Sequence, residues 1–215
     1  MGEGLLNKKR YAPYKDPLVI ALIVLIFVLV CRILFSARYV GIYVVGSSMS
    51  PTLNGAVNED VSGGDYLYAD TCARPDYGDI VVVEAEHDDG STGLIIKRVI
   101  ALGGDSVYMQ NGVVYVMYEG TDSFVALEED YVLPENNDPY LDYNSFRSES
   151  DPLVVPYNTM FLLGDNRGNA YGHSLDSRHY GCFAYESMTG VISEWSLSLK
   201  GFFTAMYTFF SFGVV

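Results

Sequence analysis

An almost unbroken apolar run near the N-terminus constrains the fold of this chain more than any other feature. Residues 18–35 read LVIALIVLIFVLVCRILF, and their only charge, Arg32, lies near one end. A helix of about 20 apolar residues crosses the hydrocarbon core of a bilayer, and an arginine near its end can reach the headgroups. The run therefore predicts a transmembrane anchor over residues 17–36.

A cleaved secretory signal peptide is the alternative interpretation, because a basic segment followed by an apolar stretch begins in the same way. The residues just past the run argue against cleavage. The sequence Phe35-Ser36-Ala37-Arg38 places a bulky side chain where a small one is required. A retained anchor is therefore favoured.

The charges beside the run predict its orientation. Only Arg38 closely follows the run, whereas four basic residues precede it: Lys8, Lys9, Arg10 and Lys15. The lysine- and arginine-rich flank of a membrane span stays cytoplasmic. Residues 1–16 are therefore predicted to form a cytoplasmic tail, and the rest of the chain to lie outside.

The acidic excess belongs wholly to this external part. The net charge is −14 at pH 7, and beyond residue 38 the chain carries 7 basic and 25 acidic residues. An acidic surface repels the phosphate backbone, so nucleic acid is not expected as a partner. A solubilising role explains the charge without any specific ligand.

The three cysteines, Cys31, Cys72 and Cys182, show no Cys-x-x-Cys spacing. Neither a zinc site nor another metal site is therefore expected. Cys31 lies in the anchor. Cys72 and Cys182 would face an oxidising compartment, where a disulfide and two free thiols are both open interpretations.

The signals from residue 37 to residue 200 are those of strands and turns. Three β-branched and aromatic runs are bounded by Gly, Asp and Asn clusters, at 43–45, 80–84 and 94–100. The Asn111-Gly112 pair, which lies between two further runs, predicts a tight hairpin. No long stretch has the period of a helix, so we expect a mainly β extracytoplasmic domain.

Two segments of the external part differ from this pattern. Residues 120–157 are rich in acidic residues, Asn and Pro, which indicates an insertion or irregular lobe, either a functional lid or a poorly ordered loop. Residues 201–215, GFFTAMYTFFSFGVV, are apolar and aromatic but short for a membrane span. Their composition favours a membrane-surface segment. A second span and a tail docked on the core are the alternatives.

Lys97 is a candidate catalytic base within the apolar strand Ile95–Ile100. On a strand it shares a face with Ile95 and Val99, whereas Arg98 points to the opposite face. A free lysine is neutral in only about one molecule in two thousand at pH 7, so it becomes a base only where burial lowers its pKa. Arg98 cannot serve, because guanidinium does not deprotonate. The non-catalytic alternative is a lysine whose aliphatic stem packs on the domain while its amine reaches water.

Serine needs an adjacent base to become a nucleophile, and Ser47 and Ser48 lie in the turn GSSMSP. The three histidines offer a weaker route to such a base. His87 lies in a polar turn, and His173 and His179 lie in a glycine-rich loop, so a Ser-His-Asp triad is the less favoured alternative. A serine in such a turn can also be a simple turn former.

Four segments combine polar residues and glycine in an apolar β context, at 44–53, 77–83, 95–105 and 162–181. In this order they resemble type I signal peptidases, the Ser/Lys proteases that remove signal peptides from exported proteins. The matching motifs are Ser48-Met49-Ser50-Pro51-Thr52, Lys97-Arg98 with Gly104-Asp105, Gly164-Asp165-Asn166, and Ser174-Leu175-Asp176-Ser177-Arg178. The resemblance covers the anchor and roughly residues 42–116 and 157–192.

The resemblance implies a role for each matching residue. Ser48 is the expected nucleophile rather than Ser47, because Met49 follows it; Lys97 is the expected base, and Ser174 would hydrogen-bond and orient its amine. A supporting ion-pair framework would be formed by Arg98, Asp165, Asp176 and Arg178. Substrate would bind as an added strand, with its small residues in shallow pockets near Val44, Met49, Leu53 and Ile96.

Three positions depart from the family pattern. Gly46, in the oxyanion region, stands where some members carry a helper hydroxyl, although glycine there resembles the Gram-positive-type branch. The turn Leu102-Gly103-Gly104-Asp105 lacks the usual proline. Seven residues separate Asn166 from Ser174 where the family usually has three, so the loop would have to bulge outward.

The resemblance implies a membrane-bound serine endopeptidase that cuts preproteins after small-x-small motifs, without a cofactor. Its partners would be preproteins and the lipid bilayer, and its place the bacterial cytoplasmic membrane, with an organelle as the alternative. A specialised or non-catalytic relative that assists pilus or surface-protein assembly is the competing interpretation. Self-cleaving repressors share the Ser/Lys chemistry, but their DNA-binding module has no counterpart before residue 40. A tethered β binding domain would follow if Ser48 and Lys97 lay far apart.

Overall fold

The computed structural model describes residues 16–57, 63–86, 90–168 and 174–211, and the chain divides into two units at Arg38 and Tyr39. The described part of the first unit is dominated by helix α1, Pro17–Arg38, 22 residues long and without a buried residue. At 1.5 Å per residue it measures about 33 Å, enough for a hydrocarbon core of about 30 Å. Among the described residues it is the one helix long and apolar enough to cross a membrane, so it fits a transmembrane segment.

The second unit is mainly β, as the sequence predicts. A seven-stranded sheet has the order β1-β2-β11-β3-β4-β9-β10, and a four-stranded sheet the order β7-β6-β5-β8. The strands are β1 Tyr39–Tyr43, β2 Tyr66–Asp70, β3 Ile80–Glu86, β4 Thr92–Leu102, β5 Ser106–Gln110, β6 Val113–Met117, β7 Val125–Ala126, β8 Leu153–Val154, β9 Thr159–Leu163, β10 Phe183–Ala184 and β11 Met188–Ile192. The further helices are α2 Ser177–Tyr180, α3 Glu194–Ser198 and α4 Lys200–Ser211.

The hairpin predicted at Asn111-Gly112 is confirmed. Gln110 of β5 pairs with Val113 of β6, so the loop has two residues. Both have positive φ, 50° at Asn111 and 80° at Gly112. This is the conformation that a two-residue hairpin turn requires, and Asn and Gly adopt it at least cost.

Strand β3 lies at the centre of the core, because successive side chains of a strand point to opposite faces. Ile80 and Val82 belong to one hydrophobic cluster, and Val81 and Val83 to another. All four are at most 4% exposed. Burial of each such side chain stabilises the fold by roughly 1.5–3 kcal/mol, which makes β3 a rigid base for the neighbouring strand β4.

The segment 120–157 is irregular, as expected, but it also contributes to the second sheet. Its two short strands β7 and β8 pair with β6 and β5. Between them lie two single 3₁₀ turns, at Pro134–Asn136 and Asp142–Asn144. Because β7 and β8 form the two opposite edges of this sheet, the residues between them connect one edge to the other.

Helix α4 begins at Lys200, and with 12 residues it is too short for a second span. Thr204 Oγ1 accepts a hydrogen bond from Tyr66 N at 2.9 Å, and the Tyr207 ring stacks on Tyr66 at 4.6 Å. The opposite face is exposed and apolar, with Phe202, Met206, Phe209 and Phe210. One face of α4 thus packs on the β domain, as in the alternative of a tail docked on the core, and the other face is exposed to solvent.

The two cysteines of the β domain, whose pairing the sequence left open, are both free thiols. Cys72 is exposed and Cys182 is half-buried. Burial raises the pKa of the Cys182 thiol, so this side chain behaves as a small apolar residue.

Candidate active site

The turn that carries Ser48 lies between β1 and β2 and is fixed at both ends. Gly46 N donates to Ala56 O at 2.8 Å, and Leu53 N donates to Met49 O at 2.9 Å. Met49 and Leu53 are each 1% exposed and anchor the turn in the core. Ser48, directly before one of these anchors, is half-buried and remains accessible.

The structure brings Ser48 and Lys97 into direct contact. Lys97 lies on β4, opposite Val81 of β3, and is 3% exposed. Its Nζ lies 2.8 Å from Ser48 Oγ and donates a second hydrogen bond to Ile96 O at 2.9 Å. These distances allow a proton to pass between the hydroxyl and the amine.

Burial lowers the pKa of Lys97 to about 8, although the charges of Asp176 and Asp165 raise it. With this pKa about one amine in ten is neutral at pH 7, whereas at 10.5 it would be about one in three thousand. Desolvation therefore increases the supply of free base about 300-fold. The fold bears a cost of about 3 kcal/mol for this depression at neutral pH.

The four residues expected to form a framework make two buried ion pairs. Arg98 donates from Nε to Asp165 Oδ1 at 2.8 Å and from Nη2 to Oδ2 at 2.6 Å. Arg178 binds Asp176 in the same bidentate manner, from Nε to Oδ1 and from Nη2 to Oδ2, with both distances 2.8 Å. Thr52 also donates its hydroxyl hydrogen to Asp165. The first pair thereby links the residue beside Lys97 to the turn of Ser48.

The loop after β9 packs directly on the nucleophile turn. Asn166 N donates to Ser48 O at 3.0 Å, and Asn166 Nδ2 donates to Ser47 O at 3.2 Å. A Cβ on Gly164 would overlap the Ser48 carbonyl oxygen and the Ser174 side chain. Glycine at 164 is therefore required for this close approach.

Ser174 does not make the hydrogen bond to Lys97 that the resemblance implied. Its hydroxyl is buried and has no hydrogen-bond partner within the described part of the chain. The Lys97 amine instead donates to Ser48 and to its own neighbour's carbonyl, Ile96 O. Most of the lengthened loop, residues 169–173, lies outside the described residues.

A cleft of about 450 Å³ runs between residues 41–45 and residues 94–97, with Ser48 and Lys97 in its lining. Val44 and Ile96 line it, as the resemblance implied. Met49 and Leu53 do not; they are core residues of the same hydrophobic cluster. Because each side of the cleft is an extended segment, it can accept an extended peptide.

Gly46 has φ +80°, and a Cβ at this position would meet nothing within 4 Å. Residue 46 therefore supplies no side-chain hydrogen-bond donor to the oxyanion region. His179 lies on α2, where its ring meets Tyr180 at 4.8 Å, and His87 and His173 lie outside the described residues. No group of His, Cys, Asp or Glu in the described ranges could hold a metal ion.

Three further residues support the site, and two of them come from the acidic segment. Arg167, 0% exposed, forms an ion pair with Glu129 and donates from Nε to Gly164 O at 2.9 Å. Tyr131 donates to Glu129 at 2.7 Å, and its ring lies 3.9 Å from the Arg98 guanidinium. The sequence offered one indication that Arg167 supports the site, which is its position directly after Gly-Asp-Asn. It offered no such indication for Glu129, because a Glu-Glu-Asp run is typical of a solvated surface.

The acidic segment also binds the backbone of the site loop. Gly168 N donates to Asn136 O at 2.7 Å, and Asp138 N donates to Gly168 O at 3.2 Å. Arg178 Nη1 donates to Asn144 Oδ1 at 3.1 Å. Segment 120–157 therefore acts as a scaffold for residues 164–168, a role that its composition did not reveal.

A model of the family described as signal peptidase, peptidase S26, matches residues 15–196. The match covers the apolar helix, the Ser48 turn, the Lys97 strand and the segments that carry Asp165 and Asp176. It ends before α4.

Similar proteins come from bacteria and from a plant organelle. Signal peptidase I S of Bacillus subtilis is 30% identical over 199 residues, 87% of this chain and 90% of that protein. Signal peptidase I U of the same organism is 31% identical, over 81% and 85% of the two chains. Thylakoidal processing peptidase 1 of Arabidopsis thaliana is 28% identical, over 67% of this chain and 38% of that protein. A solved signal peptidase I of Enterococcus faecalis superposes with a TM-score of 0.41 at 23% identity, over 56% of this chain and 98% of that one.

Proposed function

The chain belongs to the signal peptidase family, peptidase S26, and from this premise we propose a membrane-bound serine endopeptidase that uses Ser48 as nucleophile and Lys97 as general base. Membership of the family and the similarity to signal peptidases I support signal peptide removal as the activity. The contact of 2.8 Å between Lys97 Nζ and Ser48 Oγ carries the mechanism.

In the reactive form Lys97 is neutral, and its lone pair accepts the hydrogen of Ser48 Oγ. The oxygen attacks the scissile carbonyl as the amine takes the proton. The resulting ammonium then gives this proton to the leaving amino group, and an acyl-enzyme on Ser48 remains. Water, deprotonated by Lys97, releases the signal peptide and restores the serine.

The oxyanion formed in this step needs hydrogen-bond donors. The backbone N–H of Ser48 is the proposed donor, and among the described residues it is engaged by no other group. Gly46 leaves space beside it, so water can supply a second donor without a side chain. Ser174, buried next to Gly164, remains the proposed partner of the Lys97 amine once substrate is bound.

Substrate is proposed to lie in the cleft as an extended strand between residues 41–45 and 94–97. Val44 and Ile96 restrict the side chains that fit beside Ser48, which favours cleavage after small-x-small motifs. Preproteins with signal peptides are therefore the proposed partners, and no cofactor takes part.

Helix α1 is the proposed membrane anchor, with residues 1–16 inside and the catalytic domain on the outer face of a bacterial cytoplasmic membrane. The exposed aromatic face of α4 is proposed to lie on the membrane surface, since Phe and Tyr suit the interface. The similarity to a thylakoidal enzyme keeps an organellar membrane as the alternative.

The test uses the full-length protein in detergent micelles and a preprotein with an Ala-x-Ala site. We expect one cut after the second alanine, and none when that alanine is replaced by phenylalanine. Ser48→Ala and Lys97→Met should each abolish cleavage, whereas Ser47→Ala, the matched control, should retain it because only the Ser47 carbonyl contacts the site loop. Full activity of Ser48→Ala or Lys97→Met would show that the proposed pair is wrong.

A further inference from the structure

Helix α4 lies beyond residue 196, where the family match ends, yet two of its side chains reach the walls of the proposed site. Lys200, its first residue, contacts the Ser48 turn. Tyr207, two turns later, contacts a residue of the cleft. The helix is therefore a feature of this chain that the shared chemistry does not explain.

Lys200 Nζ donates to Thr52 O at 2.8 Å and to Asp65 Oδ2 at 3.1 Å. Thr52 closes the motif that begins with Ser48, and Asp65 accepts a further hydrogen bond from Asn54 N at 2.8 Å. The ammonium thus joins two points of the nucleophile turn to the start of α4. Together with the Thr52 hydroxyl on Asp165, it fixes the far end of the turn from both sides.

The position of this lysine is unfavourable for the helix itself. The N-terminus of a helix carries a partial positive charge, so a cation in the first turn is destabilising. A lysine at the first position of α4 is therefore stabilised by the carbonyl and the carboxylate that it binds, and not by the helix. This indicates that the contact with the turn, rather than helix formation, explains the residue.

The second contact supports the cleft. Tyr207 stacks on Tyr43 at 5.2 Å, and on Tyr66 at 4.6 Å. Tyr43 is part of the cleft lining. Stacked aromatic pairs stabilise beyond their buried area, so α4 holds this wall in place from behind.

We infer that α4 is a positioning element of the site, in which Lys200 holds the Ser48 turn and Tyr207 supports the cleft wall through Tyr43. The inference rests on the proposed function for its kinetic consequences. The two residues should act on different kinetic constants. Loss of Lys200 disturbs the reacting hydroxyl and lowers kcat, whereas loss of the Tyr207 ring disturbs peptide binding and raises KM.

The experiment compares full-length Lys200→Met and Tyr207→Leu with wild type in micelles, using the preprotein assay and amide hydrogen exchange. Lys200→Met should lower kcat about tenfold with KM within about twofold, since a charge-assisted hydrogen bond is lost. Tyr207→Leu should raise KM about threefold to tenfold with a smaller change in kcat. Lys200→Arg, which retains the charge and the donors, should recover most of kcat.

Hydrogen exchange gives a reading that does not depend on activity. In Lys200→Met the amides of residues 48–56 should exchange faster, while those of β3 remain unchanged. Arg74→Met is the matched control, because it removes an exposed cation from the turn after β2, and it should change neither measurement. If Lys200→Met does not fold, Lys200→Gln, which retains one donor for Thr52 O, replaces it.

Unchanged kcat together with unchanged exchange at residues 48–56 would overturn the inference and leave the proposed function intact. If wild type cleaves no preprotein, the proposed function fails, and the exchange of residues 48–56 still decides whether Lys200 holds the turn. Faster exchange with unchanged kcat would also overturn the inference, because the contact would then stabilise the turn without positioning the site.

Discussion

Replacement of Lys97 by methionine should abolish activity and also make the protein more stable near neutral pH. The depression of the pKa of Lys97 from 10.5 to about 8 corresponds to about 3 kcal/mol at 1.36 kcal/mol per unit. Methionine has a similar length, no charge and a flexible stem. It leaves Ile96 O without its donor, which costs about 1 kcal/mol. The expected net gain at pH 7 is about 2 kcal/mol.

The sign of this difference should reverse with pH. The folded-state pKa of Lys97 lies below the unfolded value, so the unfolded chain binds the proton more tightly. The penalty in wild type is therefore fully present below pH 8 and disappears as the pH rises through about 10.5. Above that pH only the lost hydrogen bond remains, and Lys97→Met should be less stable than wild type by about 1 kcal/mol.

The assay is urea unfolding of the full-length proteins in micelles, followed by the fluorescence of Trp195, the single tryptophan. This ring lies against Tyr39 at 5.5 Å and Phe203 at 5.6 Å, so its emission reports the packed domain. Other titrating groups are common to both proteins and cancel in the difference. Ile95→Met, an uncharged change on the same strand, should give a difference that is independent of pH.

A stability difference between Lys97→Met and wild type that stays constant from pH 7 to pH 11 would refute this reasoning. So would a variant that is less stable than wild type at pH 7. Either result would mean that burial does not disfavour the protonated form of the Lys97 amine. The neutral amine needed at pH 7 would then have to arise in another way.

Three further outcomes follow from the site. The rate constant kcat/KM should rise with pH and level off above about pH 8, because Lys97 must lose its proton, and a pH–rate profile without such a rise speaks against this base. Glu129→Gln should destabilise the protein by about 3–5 kcal/mol, since it leaves Arg167 buried and unpaired; urea unfolding measures this loss, and the double variant with Arg167→Met should recover much of it. Gly164→Ala should lower kcat at least tenfold in the preprotein assay, because its Cβ displaces the Ser48 carbonyl, and unchanged kcat would show that the loop can yield.

Much of this fold was open to prediction because its signals are local. The hairpin at Asn111-Gly112 depends on two residues, and the opposite faces of Lys97 and Arg98 depend on the period of one strand. The apolar run of α1 needs no partner to be recognised. In each case the determining interaction lies within about ten residues of the chain.

The support of the site was not predictable, because it depends on contacts between distant segments. Glu129 and Arg167 are 38 residues apart, and nothing in an acidic run distinguishes one carboxylate that will be buried from its solvated neighbours. Lys200 and Thr52 are 148 residues apart. The role implied for Ser174 also depended on a loop that is longer here, and the hydrogen bond to Lys97 is absent from the described structure.

The ion pairs of the framework have an electrostatic consequence beyond rigidity. Asp165 and Asp176 both raise the pKa of Lys97, and the charge of Arg178 lowers it. Carboxylates near the amine, without a cationic partner of their own, would favour the ammonium form of Lys97 and oppose its action as a general base. Each carboxylate is instead held by two hydrogen bonds from an arginine, and the charge of Arg178 offsets part of their field at the amine. Desolvation can then dominate, and the framework becomes part of the reason that a lysine can serve as a base in this site.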